Sequence, residues 1–161
     1  MPRNFRRTSK VKTWSDNWND VIRLFYKDQC LKDLMCVPEA TSITEFAKRY
    51  FVRGVGADEL VTNEDVRILW WNGEGPELWN RGVKMKRKML DIYVKDSVLH
   101  TATADRIQYR FELITERMKD LLLTSDTVCG MRFSFVDSYD LYTKSIGYSR
   151  YHVVFAYKVT I

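Results

Sequence analysis

The sequence has few of the residues that staple small proteins together or bind metal ions. It contains three cysteines, Cys30, Cys36 and Cys129, with no C-x-x-C pair, and only two histidines. An odd number of scattered cysteines among mostly apolar neighbours predicts buried free thiols rather than a disulfide framework. Neither His100 nor His152 lies near cysteines or acids at the spacing of a metal site. We therefore expect no structural metal and no disulfide.

Long hydrophobic runs are also lacking. No segment approaches the ~18 apolar residues that a membrane-spanning helix needs. The N-terminus is basic, but no apolar stretch follows it as one would in a secretory signal peptide. The sequence therefore predicts a protein with no membrane contact, made in a cytoplasm and kept there or in a particle assembled there.

Glycine and proline are scarce, with seven and three residues among 161, which excludes collagen-like and low-complexity chains. Hydrophobic residues make up 45% and charged residues 29%, the balance of a globular domain. A chain of this length buries roughly two thirds of its unfolded surface, so it folds without a disulfide or metal. We expect a single domain at residues 14–161, preceded by an extended arm at residues 1–13.

Motifs of known enzyme classes are absent. No G-x-S-x-G, H-E-x-x-H or P-loop pattern occurs. The glycine pairs Gly54–Gly56 and Gly73–Gly75 lack the strand–glycine–helix setting of a nucleotide site. We therefore expect a protein that is not an enzyme and holds no cofactor.

The excess positive charge lies at the N-terminus. The chain has 26 cations and 21 acids, and five of the cations lie in the first twelve residues, which contain no acid: Arg3, Arg6, Arg7, Lys10 and Lys12. The remainder of the chain is formally neutral. A basic arm of this kind either contacts an anionic partner or is a solvated terminus, and the sequence leaves both alternatives open.

Hydrophobic periodicity predicts three helices. The first runs over residues 16–35 and ends before Pro38, since a residue that precedes proline is disfavoured in a helix. The second begins at the capping box Ser42–Glu45 and ends at Gly54 and Gly56. The third and clearest runs from about residue 104 to 123, with Thr103 as its cap.

Alternating residues predict three strands, at Val83–Val94, Met131–Phe135 and Arg150–Thr160, and the apolar segment Val66–Trp71, which runs into a turn-rich loop, predicts a fourth. The second strand is highly charged in its first half, so we expect that half to project beyond the sheet. The last two strands should pair antiparallel across a tyrosine-rich loop that ends near Gly147. The order predicts an α+β fold: an antiparallel or mixed sheet packed against one long helix, with an N-terminal helix and the basic arm.

Two further groups of residues are candidates for interactions. Four cations in five residues repel one another unless an anion lies opposite, so they join the arm as candidate anion contacts: Lys84, Lys86, Arg87 and Lys88. Aromatic residues make up 14% of the chain, which favours interfaces. Trp70 and Trp71 should point to opposite faces of their strand, so at most one enters a given core. With Trp79, they are candidates for contacts between subunits; the alternative is that the second tryptophan lies flat on the surface.

Six segments of the C-terminal half form a recognisable series: Leu90–Val94, Asp105–Arg106, Leu121–Leu123, Cys129–Phe133, Ile146–Tyr151 and Val153–Tyr157. This series resembles the tail completion proteins, or tail terminators, of tailed bacteriophages. The opening helix at residues 16–35 followed by Pro38 fits the same pattern. Residues 39–82 look like an insertion or elaborated loop, and the basic arm is not typical of the family.

The resemblance implies a small α+β subunit of a hexameric ring in the phage neck. Such a ring caps the tail tube, stops its polymerisation and joins it to the head connector, by binding rather than turnover. The implied partners are other copies of the chain, other neck and tail-tube proteins, and DNA in the lumen. The implied location is the virion, assembled in the bacterial host cytoplasm. Two alternatives stay open: a head completion or connector protein of the neck, and a small basic nucleic-acid-binding module.

Overall fold

The structure is a computed structural model that describes residues 14–54, 63–73, 78–80, 83–103 and 106–160. For residues 14–17, 78–80, 83, 84, 102, 103, 159 and 160 it describes the backbone alone. The predicted arm at residues 1–13, with its five candidate cations, lies outside the described residues. The helices are α1 (Trp14–Lys27), α2 (Gln29–Leu34), α3 (Ile43–Glu45) and α4 (Arg110–Leu123). The strands are β1 (Phe51–Arg53), β2 (Val66–Asn72), β3 (Leu78–Asn80), β4 (Val83–Lys95), β5 (His100–Thr103), β6 (Arg106–Tyr109), β7 (Arg132–Leu141) and β8 (Tyr148–Thr160).

The strands form one mixed sheet and one separate hairpin. The order across the sheet is β1–β2–β4–β8–β7, and β3 also pairs with β4. The neighbours β1 and β2 are parallel, whereas the other neighbours are antiparallel. Strands β5 and β6 pair only with each other among the described residues. The predicted α+β fold with a mixed sheet is confirmed.

The buried side chains of α1, α2 and α4 all pack into one core on one face of the sheet. Every second residue of the long strands enters the same core, including Ile68, Leu90, Ile92, Val153 and Phe155. Each such side chain contributes about 1.5–3 kcal/mol when fully buried. The opposite face carries a small cluster around Leu69 and Tyr93, to which no described helix contributes. We call this opposite side the helix-free face.

Asp28 divides the first predicted helix into two. Its backbone is extended, and its carboxylate caps α2 by accepting a hydrogen bond from the Leu31 backbone N–H at 2.7 Å. The Arg117 guanidinium on α4 donates two more hydrogen bonds to the same carboxylate. These bonds lower the pKa of Asp28. The prediction of one continuous helix over residues 16–35 was therefore wrong, because apolar spacing does not reveal a partner 89 residues away.

The second predicted helix begins where expected but ends earlier. The Ser42 hydroxyl accepts a hydrogen bond from the Glu45 backbone N–H, which confirms the cap. A π-helical turn at Phe46–Tyr50 follows, and the chain then enters β1, a strand that the sequence analysis missed. Phe51 of β1 is fully buried and pairs with Ile68 of β2. Part of the interval 39–82 therefore belongs to the sheet itself.

The third predicted helix begins six residues later than expected. Residues that were predicted to form its first turns form strand β6, whose partner is β5. Ile107 has the spacing of the apolar stripe expected for this helix, but it is 77% exposed in the hairpin. The helix starts at Arg110, whose guanidinium donates to the carbonyl oxygens of Val98 and Leu34. These distant carbonyls fix the start of the helix, so Thr103 is not its cap.

Two strands also differ from prediction. β4 does not project beyond the sheet, because it pairs with β8 along its whole length. β7 continues to Leu141, so Tyr139 lies in a strand rather than in the predicted loop. The antiparallel pairing of β7 with β8 is confirmed, with one irregularity between Phe135 and Asp137.

The three cysteines are all free, as predicted. They are not all buried, however: Cys30 is exposed, and Cys36 and Cys129 are partly buried. Burial raises the pKa of the Cys36 thiol.

Candidate functional site

The tryptophans that were candidates for subunit contacts separate onto the two faces of the sheet. Trp70 lies on the helix-covered face, where its ring centroid is 5.5 Å from that of Trp18 on α1. Trp71 lies on the helix-free face, 5.8 Å from the His152 ring, and is partly buried. The opposite orientation of the two neighbours agrees with the expected alternation. The side chain of Trp79 is outside the described part of the structure.

Lys88 is buried among aromatic rings and is only 5% exposed. Its ammonium nitrogen lies 4.6 Å from the Trp18 ring centroid and 4.7 Å from that of Trp70, and it donates a hydrogen bond to Asn72 Oδ1. The Tyr157 ring completes the surroundings at 6.0 Å. Cation–π attraction partly replaces the lost hydration of the ammonium. The sequence analysis named Lys88 as a candidate anion contact. Because the surrounding rings make its ammonium group inaccessible to an external anion, we no longer regard Lys88 as a candidate.

Burial, with the charges of Arg53 and Lys86 as lesser causes, lowers the pKa of Lys88 to about 8. In the unfolded chain the same amine titrates near its usual value of 10.5. The folded protein therefore loses this proton before the unfolded chain does as the pH rises. Stability contributed by Lys88 should consequently increase between about pH 8 and 10.5.

We expect a Lys88→Met variant to lack this increase. Between pH 7.5 and 10.5 the free energy of unfolding of the wild type should rise by about 1–2 kcal/mol relative to that of the variant. This value is already lowered to allow for solvent screening. Urea unfolding at several pH values measures the difference, and exposed Lys48→Met serves as the control. Parallel stability curves for the wild type and Lys88→Met would show that the ammonium is not held in an unfavourable environment.

The other cations of the 84–88 segment occupy different surroundings. Lys86 is partly buried on the helix-covered face, and Arg87 is exposed on the helix-free face. The side chain of Lys84 is not among those described. The register also places two exposed cations that the sequence analysis missed on the same face as Arg87, Lys158 on the adjacent strand β8 and Arg132 on β7 beyond it. The antiparallel pairing predicted for the last two strands is the signal from which the proximity of Arg132 and Lys158 could have been predicted.

An ionic network lies at the centre of the helix-free face. Asp91 of β4 is fully buried and accepts hydrogen bonds from Arg150 Nε at 2.9 Å and Nη2 at 2.6 Å. Its second carboxylate oxygen lies 2.6 Å from Nδ1 of His152. The rings of Trp71 and Tyr139 flank the imidazole, at 5.8 and 5.2 Å. Sequence reasoning missed this network, because it treated His152 as a residue without a chemical partner.

The network resembles, in geometry alone, the carboxylate–imidazole pairs that orient catalytic histidines. Its burial favours a structural role, since Asp91 is fully enclosed and His152 nearly so. Both basic partners lie on β8, so the network ties β4 to β8 on the helix-free face. A buried carboxylate requires such partners because an unpaired buried charge is strongly destabilising.

Large apolar side chains are exposed at the end of the sheet where β4 stops. Tyr142 is 83% exposed and Ile146 is 97% exposed, both in the connection between β7 and β8. The Asp96 backbone N–H donates to the Gly147 carbonyl oxygen at 2.9 Å, which joins this connection to the segment leading into the β5–β6 hairpin. The hairpin carries the exposed Ile107. Large exposed apolar side chains on two connected segments are typical of interaction sites.

A groove of about 290 Å³ lies between α4 and β7 on the helix-covered side. Its described lining contains no histidine, cysteine or lysine and consists of Gln108, Glu112, Leu113, Thr115, Glu116, Ser138 and Tyr151. Within the described ranges, no group of three or more histidine, cysteine, aspartate or glutamate side chains is arranged to hold a metal ion. No described helix is both long and apolar enough to cross a membrane.

A scan against protein-family models found no matching family, and a search of curated proteins found no match.

Proposed function

We propose that this chain is a structural subunit of the bacteriophage neck, a tail completion or terminator protein. Copies of it form a ring, which caps the tail tube and joins the tube to the head connector. The chain acts by binding its own copies and its neighbours and converts no substrate.

The observation that carries the proposal is a set of exposed apolar side chains on two hydrogen-bonded segments, Tyr142 and Ile146 in the β7–β8 connection and Ile107 in the β5–β6 hairpin. We call these three residues the apolar end. These side chains are strongly exposed in a single copy of the chain. A two-stranded hairpin such as β5–β6 is marginally stable by itself, so packing against another subunit would stabilise it. A subunit that meets its neighbour through the apolar end buries these exposed side chains and stabilises the hairpin. In a ring, that contact is heterologous and closes on itself.

A nucleic-acid-binding module is the second candidate, because Arg87, Arg132 and Lys158 lie together on the helix-free face. The two candidates differ in oligomeric state: the module would bind nucleic acid as a monomer, whereas the neck protein works as a ring. Both involve binding without turnover.

Deleting the gene from the phage that carries it tests the proposal. Without a terminator, tail tubes should continue to polymerise, so the lysate should contain unjoined heads and tails of excessive length. Negative-stain electron microscopy measures both features, and adding the purified protein before tails elongate should restore normal length. Unjoined tails of normal length would identify a head completion protein instead. Normal phage yield would contradict any neck function.

A further inference from the structure

The antiparallel register gathers cations at one end of the helix-free face. Arg132 of β7 lies directly opposite Lys158 of β8. On the other side of β8, Arg87 of β4 lies opposite Ala156, two residues from Lys158, so Arg87 and Lys158 are diagonal neighbours. All three cations are exposed. We call Arg87, Arg132 and Lys158 the basic triad.

Acids are absent from the strand segments that form this end. Residues 83–90, 132–136 and 153–160 contain no aspartate or glutamate. Among the described residues of β4, β7 and β8, the acids begin further along the strands, at Asp91 and Asp137. Asp91 already binds Arg150 and His152. The triad therefore stands in a strand region of one charge sign.

This arrangement is unfavourable in the isolated chain. Cross-strand neighbours such as Arg132 and Lys158 have Cβ atoms about 5 Å apart, and diagonal neighbours about 7–8 Å apart. Like charges directly opposite each other destabilise a sheet. A bound polyanion would reverse the sign of this interaction, so the arrangement favours a charged partner.

The spacing of the triad favours an extended partner over a small anion. The three side chains arise from three adjacent strands, so they span about 10 Å across the sheet. A nucleic-acid backbone presents a regular series of phosphates, which matches cations distributed over three strands. Two of the three are arginines, whose planar guanidinium groups bind phosphate oxygens in pairs.

We propose that the basic triad binds the phosphate backbone of duplex DNA without sequence preference. This inference rests on the proposed function, because it assigns DNA as the partner of one face of the ring subunit. The triad lies on the face opposite the helices, and the apolar end that carries the subunit contact is formed by other residues.

Fluorescence anisotropy with a labelled duplex of random sequence tests the inference. The full-length variant Arg87→Gln/Arg132→Gln/Lys158→Gln should bind at least about tenfold more weakly than the wild type at ~0.1 M NaCl. The slope of log affinity against log salt should become shallower by up to about 2.7, since each phosphate contact contributes about 0.9. Because the substitutions remove like-charge repulsion, the variant should be no less stable than the wild type, which circular dichroism checks.

A matched control separates local contacts from net charge. The variant Arg23→Gln/Lys27→Gln/Lys48→Gln removes three exposed cations from the helical elements and changes the net charge equally. It should bind DNA within about twofold of the wild type. Equal losses in both triple variants, or none in the triad variant, would overturn the inference.

Failure of the DNA site and failure of the neck function give different results. If wild-type protein binds polyglutamate but not the duplex, the triad faces an acidic protein and the inference fails. If wild-type protein joins heads to tails but does not bind DNA, the inference fails while the proposed function stands. If it binds DNA through the triad but plays no part in joining, the proposed function fails and the DNA site remains.

Discussion

Replacing Asp91 by alanine should lower the free energy of unfolding by about 3–5 kcal/mol. The substitution leaves the Arg150 guanidinium and the His152 imidazole without their carboxylate partner in a buried position. Removing one member of a buried ionic network is costly, because the remaining charge has already lost its water. Urea unfolding followed by circular dichroism measures the change.

Two matched variants locate the cause of this loss. Asp140→Ala removes an exposed acid from β7 and should change stability by less than about 0.5 kcal/mol. Asp91→Leu/Arg150→Met/His152→Leu replaces the whole network by apolar side chains and should recover most of the lost stability. If Asp91→Ala is as stable as the wild type, the network does not hold β4 to β8.

Introducing aspartate at both Ile107 and Ile146 should prevent assembly. The two side chains are strongly exposed in one copy and belong to the hairpin and the β7–β8 connection, which we assign to the subunit contact. Burying two carboxylates in an apolar contact costs several kcal/mol, more than one interface readily offsets. Sedimentation velocity should show the wild type near six times the 19.1 kDa subunit mass and the variant as a monomer.

The control for this variant is Ile43→Asp, which makes the same chemical change at the first residue of α3. A carboxylate is tolerated at a helix N-terminus, so this variant should assemble like the wild type. A double variant that assembles normally would show that the contact between subunits lies elsewhere.

The sequence predicted those elements whose signals are local. The alternation along β4 and β8, the Ser42 cap and the opposite orientation of Trp70 and Trp71 follow from the nearest residues, and the structure contains them. The start of α4 could not be predicted in the same way. Ile107 has the spacing of a helical stripe, but the helix begins where Arg110 reaches carbonyls of distant segments.

The candidate sites depended even more on register. Lys88 belongs to a charged run, and only its position beneath Trp18 shows that it is buried. Asp91 and His152 are 61 residues apart and meet because β4 and β8 pair at that position. Arg132 and Lys158 likewise become neighbours through pairing. Composition identified the excess of positive charge, whereas pairing determined which cations share a face.

Cryo-electron microscopy of the purified phage particles tests the central claim most directly, because the claim concerns where the chain acts and with how many copies. We expect density for a closed ring of this chain between the head connector and the tail tube, with the end that carries Ile107 and Ile146 at the contact between neighbouring copies. Mature particles that lack the chain, or contain it as isolated single copies away from the neck, would contradict the account.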